Sequence, residues 1–249
     1  MRSIRIIGPG RAGMSLALAL ERSGWEVLSV LGRSDYENQT DDFVQASHGV
    51  DVLAITTPDR LIGQVAQAII PVDQTLVIHL SGYSGLEVLE PHPKKGSIHP
   101  AVTLPNSDIG AKRLKSGVYF VVDGDSMVKE IVATLGGKIV ELQPASRTLY
   151  HAACCISANH LVALLGTAQK LADTLGVPFE LFESLAKTAL EDVIAVGPSQ
   201  ALTGPQARGD SETVNAHRSV LAFDELEVYD AMSNQAYRLA NPEVYPCRY

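Results

Sequence analysis

The chain has 249 residues, of which 46% are hydrophobic and 19% charged, and its formal net charge is −8. An acidic surface repels phosphate backbones and anionic lipids, which disfavours a nucleic-acid-binding protein and a membrane-surface protein. The composition is ordinary for a globular chain of one large or two moderate domains. We find no apolar run of bilayer length and no signal peptide before the first strand, so we expect no membrane partner.

The cysteines are few and cannot pair completely. Cys154 and Cys155 are adjacent, and Cys247 is the third. This pattern is typical of a reducing compartment and does not fit a disulfide scaffold or a metal site. We therefore expect a cytoplasmic protein without a metal.

The first thirty residues predict a βαβ unit, with strands at 3–7 and 26–31 and a helix at 14–22. The first turn reads G-x-G-x-x-G and consists of Gly8, Pro9, Gly10, Arg11, Ala12 and Gly13. Between a strand and a helix this pattern is the fingerprint of a dinucleotide site, because the helix N-terminus offers free N–H groups to phosphates. A strand–helix turn without a ligand is the alternative.

The end of the second strand indicates which dinucleotide binds. NAD sites usually carry an acid there, whereas NADP sites carry an arginine for the 2′-phosphate. This chain has Arg33 and Ser34 after Leu31-Gly32, and no acid among these four residues. Arg33 can bind a phosphate bidentately, with Ser34 adding a hydrogen bond and Arg11 a second cation. The sequence predicts NADP(H), the alternative for Arg33 being a solvated loop arginine.

Strands and helices alternate through the N-terminal half. Further strands are predicted at 50–55, 75–80, 97–99, 117–122 and 138–142, and helices at 41–46, 60–70 and 126–135. This alternation predicts a doubly wound parallel sheet, and the long loop at 101–117 is a candidate functional segment.

From residue 144 onward the pattern is helical. Helices are predicted at 145–175, 179–196, 212–223 and 225–239, with a glycine-rich loop at 202–210. The fold class is therefore α/β: a dinucleotide-binding domain at 1–143, followed by an all-helical domain at 144–249 that contributes to substrate binding and dimerisation. The abundant apolar helix faces predict a homodimer through the helical domain.

Polar residues follow several strands, where an open parallel sheet binds its ligands. The group Thr56, Thr57 and Pro58 follows one strand and is predicted to bind the cofactor. His79 lies within the next strand, as expected for a hydrogen-bonded core histidine. Ser81 follows it and is a candidate for holding a carboxylate or carbonyl. His99 precedes a proline and is either a catalytic residue or a structural turn histidine.

The first long helix carries a polar stripe at i,i+4 spacing, formed by Arg147, His151, Cys155 and Asn159. Such a stripe is either a solvated face or the lining of a cleft. The flanking apolar residues favour the cleft, so Asn159 and His151 are candidate functional residues.

The glycine-rich loop leaves two hypotheses open. Arg208 binds an anionic substrate, with His217 facing the same cleft, or Arg208 pairs with Asp210 at the start of the next helix.

These motifs together resemble a known family. The segments His79-Leu80-Ser81-Gly82, Gly96-Ser97-Ile98-His99-Pro100 and Thr203-Gly204-Pro205…Arg208-Gly209-Asp210 look like the bacterial "Rossmann-like and DUF2520" family over nearly the whole chain. The family is similar in architecture to 6-phosphogluconate dehydrogenase, pyrroline-5-carboxylate reductase, prephenate dehydrogenase and ketopantoate reductase. The resemblance implies hydride transfer with NAD(P) and a dimerising helical domain. Some members are thought to be alternative ketopantoate reductases of pantothenate synthesis.

The resemblance also implies roles for particular residues. Prephenate dehydrogenases carry a similar Gly/Ser pair and a His-Pro, which suggests Ser81 and His99 as substrate contacts. Other relatives carry Lys and Asn four apart on the first long helix. Asn159 fits the Asn, but Cys155 stands at the lysine position. The proton donor is therefore left open between His99 and Lys187.

The resulting hypothesis is an NADPH-dependent reductase of a small keto acid, with 2-dehydropantoate as the leading substrate. Asn159 and His99 polarise the carbonyl oxygen and relay a proton, and Arg208 holds the carboxylate. The alternatives are a hydroxy-acid dehydrogenase and a regulatory protein that binds NADP without catalysis.

Overall fold

A computed structural model describes residues 1–243, so Cys247 lies outside the described part of the chain. Its centre is a seven-stranded sheet with the order β2-β1-β3-β4-β5-β6-β7. The strands are β1 Ser3–Ile7, β2 Glu26–Leu31, β3 Val52–Ile55, β4 Leu76–His79, β5 Lys95–Pro100, β6 Tyr119–Gly124 and β7 Lys138–Glu141. The predicted doubly wound, mostly parallel sheet is confirmed.

One pair of neighbouring strands departs from the parallel arrangement. β5 and β6 are antiparallel, with Pro100 opposite Phe120, whereas the other neighbours are parallel. β6 starts at the end of the sheet where β5 stops, so the chain re-enters in the opposite direction.

Helices cover both faces of the sheet. They are α1 Arg11–Glu21, α2 Arg33–Glu37, α3 Asp41–Val44, α4 Asp59–Gln67, α5 Ser107–Leu114 and α6 Met127–Thr134. On one face Leu16 and Leu20 of α1 pack with α5 and α6 against the sheet. On the other face Phe43 of α3 and Ile62 of α4 do the same. Strands buried on both faces are near-continuous apolar runs, which is why the sequence predicts them well.

The segment predicted as a long loop at 101–117 contains α5, so this prediction is wrong. Asn106 caps the helix, since its side-chain oxygen accepts a hydrogen bond from the Ile109 N–H at 2.9 Å. An Asn cap followed by an acidic first turn and a basic last turn is a helix signal in the sequence. The helix packs against α1 and belongs to the core.

The predicted helix at 145–175 is a continuous helical run with three parts after a short 3₁₀ turn. α7 covers Arg147–Cys154, a π-helical turn covers Cys155–His160, and α8 covers Leu161–Leu175. The helices that follow are α9 Glu180–Val196, α10 Pro198–Ala201, α11 Pro205–Arg208, α12 Ser211–Val220 and α13 Phe223–Ala240.

The chain forms two compact units, Met1–Ala158 and Asn159–Tyr249. The sequence predicts a boundary after residue 143. The units divide fifteen residues later, because Arg147 and Tyr150 of α7 are hydrogen-bonded to β5 of the first unit.

The helical run Pro144–Leu175 is long and apolar enough to cross a membrane, with a mean hydropathy of 1.3 in its most apolar window. On this measure the expectation that no run has bilayer length is wrong. None of that window is buried within the structure, and a single helix that meets the criteria of length and composition is weak evidence for a span.

The glycine turn before α1 gives a test of the packing. A Cβ at Gly13 would collide with the Gly8 carbonyl oxygen and Thr56 Oγ1, whereas a Cβ at Gly10 would meet no atom within 4 Å. We expect Gly13→Ala to lower the free energy of unfolding by at least about 2 kcal/mol, because the Gly8 carbonyl is backbone and the Thr56 hydroxyl is held by two hydrogen bonds. Gly10→Ala, the matched control, should cost less than about 1 kcal/mol. Urea unfolding followed by circular dichroism measures both, and equal stabilities would contradict this packing.

Candidate functional site

The glycine-rich turn is held by the end of β3. Gly8 has a φ of +107° and its N–H donates to the Leu31 carbonyl at 2.9 Å. The Thr56 hydroxyl contacts the Gly8 carbonyl oxygen at 2.7 Å and the Ile7 carbonyl oxygen at 3.0 Å. Thr56, predicted as a cofactor contact, therefore ties the turn to the sheet with its hydroxyl.

The same turn leaves space and unused polar groups. In the described part of the chain, no side chain caps the N-terminus of α1, which follows Gly10 directly, and the space beside Gly10 is open. Thr57 Oγ1 is buried and has no hydrogen-bond partner among residues 1–243. Free helix N–H groups, an open backbone and an orphaned hydroxyl suit a phosphate group, so these residues fit a dinucleotide.

Arg33, the candidate for the 2′-phosphate, is the first residue of α2. Its side chain is 88% exposed and forms an ion pair with Glu37 at 2.6 Å. The nearest following acid, Asp35, accepts the Gly32 N–H at 2.7 Å, and so caps α2. Arg33 is therefore reachable by a phosphate, and the Asp35 carboxylate already has a backbone partner.

His79, at the end of β4, is fully buried and both of its ring nitrogens have partners. Nδ1 accepts the Ser81 N–H at 3.2 Å, so Nε2 carries the proton and donates it to the Gly85 carbonyl at 3.1 Å. Burial lowers the pKa of His79 to about 4. His79 is a neutral core histidine that shapes the loop after β4, as the sequence predicts.

Ser81 was predicted to contact substrate, and its hydroxyl has little capacity left for that role. Its Oγ donates to the Asp59 carboxylate at 2.7 Å and accepts the N–H groups of Tyr83 at 3.2 Å and Ser84 at 2.9 Å. One donor and two acceptor sites are all a hydroxyl offers. Ser81 therefore clamps the loop to the start of α4.

His99, on β5, forms the chemically most suggestive contact of the first unit. Its Nδ1 lies 2.6 Å from the Tyr150 hydroxyl of α7, and the two rings are perpendicular. The ring of His151 lies 6.2 Å from that of His99, centroid to centroid. A Cβ at Gly82 would lie 2.8 Å from His99 Nε2 and 2.9 Å from His151 Cδ2, so only glycine fits beside them.

The surroundings set the protonation of this pair. Burial, together with the charges of His151 and Arg147, lowers the pKa of His99 to about 4. Burial and a hydrogen bond to Cys154 raise the pKa of Tyr150. Near neutral pH the imidazole and the phenol are both uncharged. His99 therefore serves as a hydrogen-bond donor or as a proton acceptor, but not as a standing acid.

Three residues predicted from the sequence, Ser81, His99 and His151, are thus brought together in the first unit. The sequence pattern does not reveal Tyr150 as the partner of His99, although Tyr150 directly precedes His151, a member of the polar stripe. It also does not reveal that Arg147, in that same stripe, reaches the buried hydroxyl of Ser97.

The other predicted catalytic and substrate-binding residues belong to the second unit, and they are Asn159, Lys187, Arg208 and His217. Asn159 is an exposed residue of the π-helical turn. Lys187 is 69% exposed and forms an ion pair with Glu183 at 2.6 Å, which raises its pKa. A proton donor near neutral pH needs the opposite shift, so this geometry argues against Lys187 as the donor.

The glycine-rich loop of the second unit is built around Asp210. This carboxylate accepts the Thr213 N–H at 3.0 Å and its hydroxyl at 2.7 Å, and so caps α12. Arg208 is exposed and makes no ion pair within the described residues, so it is available to an anion. His217 Nδ1 lies 2.8 Å from the Tyr229 hydroxyl.

The state of His79 predicts how stability depends on pH. The folded protein keeps His79 neutral down to about pH 4, whereas an unfolded imidazole binds a proton near 6.5. The unfolded state therefore binds more protons between these values, and stability decreases as the pH falls from 6.5 to 4. We expect the wild type to lose about 3 kcal/mol more over this range than His79→Gln, measured by urea unfolding at several pH values. Parallel curves for the two proteins would contradict this assignment.

Two family models match the chain. Residues 118–236 match the domain of unknown function DUF2520, and residues 1–104 match the Rossmann-like domain. No curated protein matches the sequence.

Three solved structures with a similar fold each share 21% identity or less with the chain. A protein from Bacteroides fragilis described as a candidate NADP oxidoreductase has a TM-score of 0.80 and 21% identity, over 95% of this chain and 98% of its own. The reductive aminase from Aspergillus terreus, solved with NADPH and ethyl levulinate, has a TM-score of 0.70 and 15% identity, over 99% and 100% of the two chains. The imine reductase from Myxococcus stipitatus, solved with NADP⁺, has a TM-score of 0.60 and 14% identity, over 97% and 94%. At this identity the likeness establishes the fold. The two domain matches, at residues 1–104 and 118–236, together place the chain among the proteins that join an N-terminal Rossmann-like domain to a C-terminal DUF2520 domain.

Proposed function

We propose that this protein is an NADP(H)-dependent oxidoreductase that interconverts a carbonyl and a hydroxyl group on a small carboxylic acid. The observation that carries the proposal is the His99–Tyr150 pair at the carboxyl end of β5. It belongs to the same sheet whose first turn offers a phosphate cradle. Ligands of open α/β sheets bind at these strand ends. The NADP-bound proteins of similar fold support the choice of cofactor.

In this proposal the cofactor is held by the first unit. Its pyrophosphate lies against Gly10 and the N-terminus of α1, with Thr57 supplying a hydroxyl. Arg33 exchanges its ion pair with Glu37 for the 2′-phosphate, assisted by Ser34. The remaining contacts of the turn and of the β3 end come from Pro9, Arg11, Ala12 and Pro58. When bound, the nicotinamide supplies or accepts the hydride.

His99 manages the proton in this proposal. In the direction of reduction, its Nε2–H donates a hydrogen bond that polarises the carbonyl oxygen, while Tyr150 donates to Nδ1 and fixes this tautomer. After the hydride has reached the carbon, the oxygen takes its proton from solvent water. In the direction of oxidation, Tyr150 accepts from Nδ1–H and the free Nε2 takes the proton of the hydroxyl group.

We propose two candidates for the direction and the substrate. Reduction of 2-dehydropantoate to pantoate, a step of pantothenate synthesis, is the leading candidate on the family resemblance. Oxidation of a hydroxy acid is the second candidate, because an imidazole with a pKa of about 4 is already in the form of a general base at neutral pH. Asn159 is proposed to polarise the carbonyl oxygen, and Arg208, with His151 and His217, to bind the carboxylate.

We also propose a cytoplasmic homodimer formed through the helical unit. Its helices expose many large apolar side chains, a surface that a lone soluble chain rarely presents. They include Leu161, Val162, Leu181, Leu185, Leu190, Ile194, Val220 and Phe223. A dimer interface of ordinary size would cover this surface.

The first test concerns the cofactor. We expect Gly10→Ala to weaken NADPH binding at least about tenfold, because the new methyl group occupies the space proposed for the pyrophosphate. Arg33→Ala should weaken NADPH by a similar factor and leave NADH unchanged. Isothermal titration calorimetry measures both, with Arg22→Ala as a control for an exposed arginine. Unchanged NADPH affinity in both variants would remove the proposed cofactor site.

The second test concerns the His99–Tyr150 pair. We expect His99→Asn to lower turnover at least about a hundredfold and Tyr150→Phe about tenfold, with cofactor affinity nearly unchanged. Tyr119→Phe, an exposed tyrosine of β6, is the control. The assay follows NADPH oxidation with keto acids, and NADP⁺ reduction with hydroxy acids.

The dependence of the turnover rate on pH separates oxidation of a hydroxy acid from reduction of a keto acid. If neutral His99 is the base for oxidation, that rate stays level above about pH 5 and falls as the pH drops through 4. Tight NADPH binding with no turnover in either direction would favour the regulatory protein instead.

A further inference from the structure

Arg147 is a buried cation beside the proposed catalytic pair. It is the first residue of α7 and is only 5% exposed. Both terminal guanidinium nitrogens donate to Ser97 Oγ, with Nη1 at 3.2 Å. Ser97 is itself fully buried on β5, in register with His79 on β4.

The guanidinium has no counter-ion within the described residues. No carboxylate of residues 1–243 lies within 4.0 Å of it, and its Nε–H is buried without a hydrogen-bond partner. Burying an unpaired charge costs several kcal/mol, whereas a neutral donor would bind Ser97 at a lower cost. Anchoring alone therefore does not account for an arginine at this position.

The spacing of the contacts links Arg147 to the pair. Arg147 and Tyr150 are three residues apart on α7, about 4.5 Å along the helix axis. Ser97 and His99 are two residues apart on β5 and point to the same face, about 6.7 Å apart. The two hydrogen bonds, Arg147 to Ser97 and Tyr150 to His99, therefore attach one face of α7 to one face of β5 at two points.

We propose that Arg147 is a positioning residue for His99: its bond to Ser97 fixes α7 where the Tyr150 hydroxyl meets Nδ1, and its uncompensated charge acts on the imidazole. The inference rests on the proposed function, since it concerns the same pair. Arg147 donates no proton and contacts no reacting atom in this account.

The charge has a defined effect among the groups around His99. Burial is the largest cause of its lowered pKa. The facing groups are Arg147, Tyr150 and His151 from α7, Asp59 from α4 and His79 from β4. Asp59 raises the pKa of His99, whereas His151 and His79 lower it. Arg147 is the permanently charged cation of this set, and its charge lowers the pKa of His99 in addition to the effect of burial.

Three variants separate the bond from the charge. Arg147→Met removes both, Arg147→Lys keeps the charge and loses the forked contact, and Ser97→Ala keeps the charge and removes the acceptor. Arg22→Met, at an exposed arginine of the same unit, is the control. The readouts are the NMR titration of the His99 ring in the cofactor-free protein, and kcat and KM on the best substrate found.

We expect Arg147→Met to raise the titration midpoint of His99 by about one pH unit, and the two charge-keeping variants to leave it low. All three should lower kcat at least about tenfold, through displacement of Tyr150, with the KM for NADPH within about twofold of the wild type. If Arg147→Met does not fold, kcat in the other two variants still tests the bond.

The inference is overturned if Ser97→Ala and Arg147→Lys retain the wild-type kcat, or if Arg147→Met retains the wild-type midpoint. Should the wild type turn over no substrate, the proposed function fails, and the titration decides the effect of the charge independently.

Discussion

The hydrogen bond between His99 and Tyr150 is the interaction on which the proposed chemistry depends. It joins the carboxyl end of β5 to α7, the first helix of the run that follows the sheet. Gly82 makes room for it, because any side chain there would strike His99 and His151. The Ser81 clamp on Asp59 and the satisfied ring of His79 hold the loop that carries Gly82. Much of the polar structure at this end of the sheet therefore serves to place one imidazole.

Burial then decides what that imidazole can do. Desolvation disfavours the charged form of His99, and the unpaired guanidinium of Arg147 acts in the same direction. The pair is neutral across the physiological range, so its contribution is orientation and proton acceptance rather than a stored proton. This electrostatic state is why oxidation of a hydroxy acid stands beside reduction of a keto acid as a candidate.

The sequence anticipated the elements whose signals are local. Buried parallel strands are apolar runs, and the glycine turn lies between a strand and a helix, so the sheet and the position of this turn could be predicted. The Asn106 cap is also a local signal, and it contradicts the prediction of a loop at 101–117. The π-helical turn at Cys155–His160 has no comparable sequence signature, so the helix from 145 was predicted unbroken.

The site was harder to predict because its contacts join distant residues. Tyr150 and His99 are 51 positions apart, and Arg147 and Ser97 are 50. The i,i+4 stripe selected Arg147 and His151 but not Tyr150, which lies three residues from Arg147 on the same side of α7. Residue type alone also suggested a free hydroxyl at Ser81, whereas its three hydrogen-bonding sites are all used by the loop.

The most direct test of the central claim follows the hydride itself. The protein would be incubated with NADPH carrying two deuterium atoms at C4 and with 2-dehydropantoate or related keto acids, and the products analysed by mass spectrometry. The account predicts one deuterium on the carbon that gains the hydroxyl group, formed by the wild type and nearly lost in His99→Asn. Two results together would contradict it. One is that every keto acid gives products without deuterium, and the other is that hydroxy acids deuterated at the hydroxyl-bearing carbon transfer no deuterium to NADP⁺.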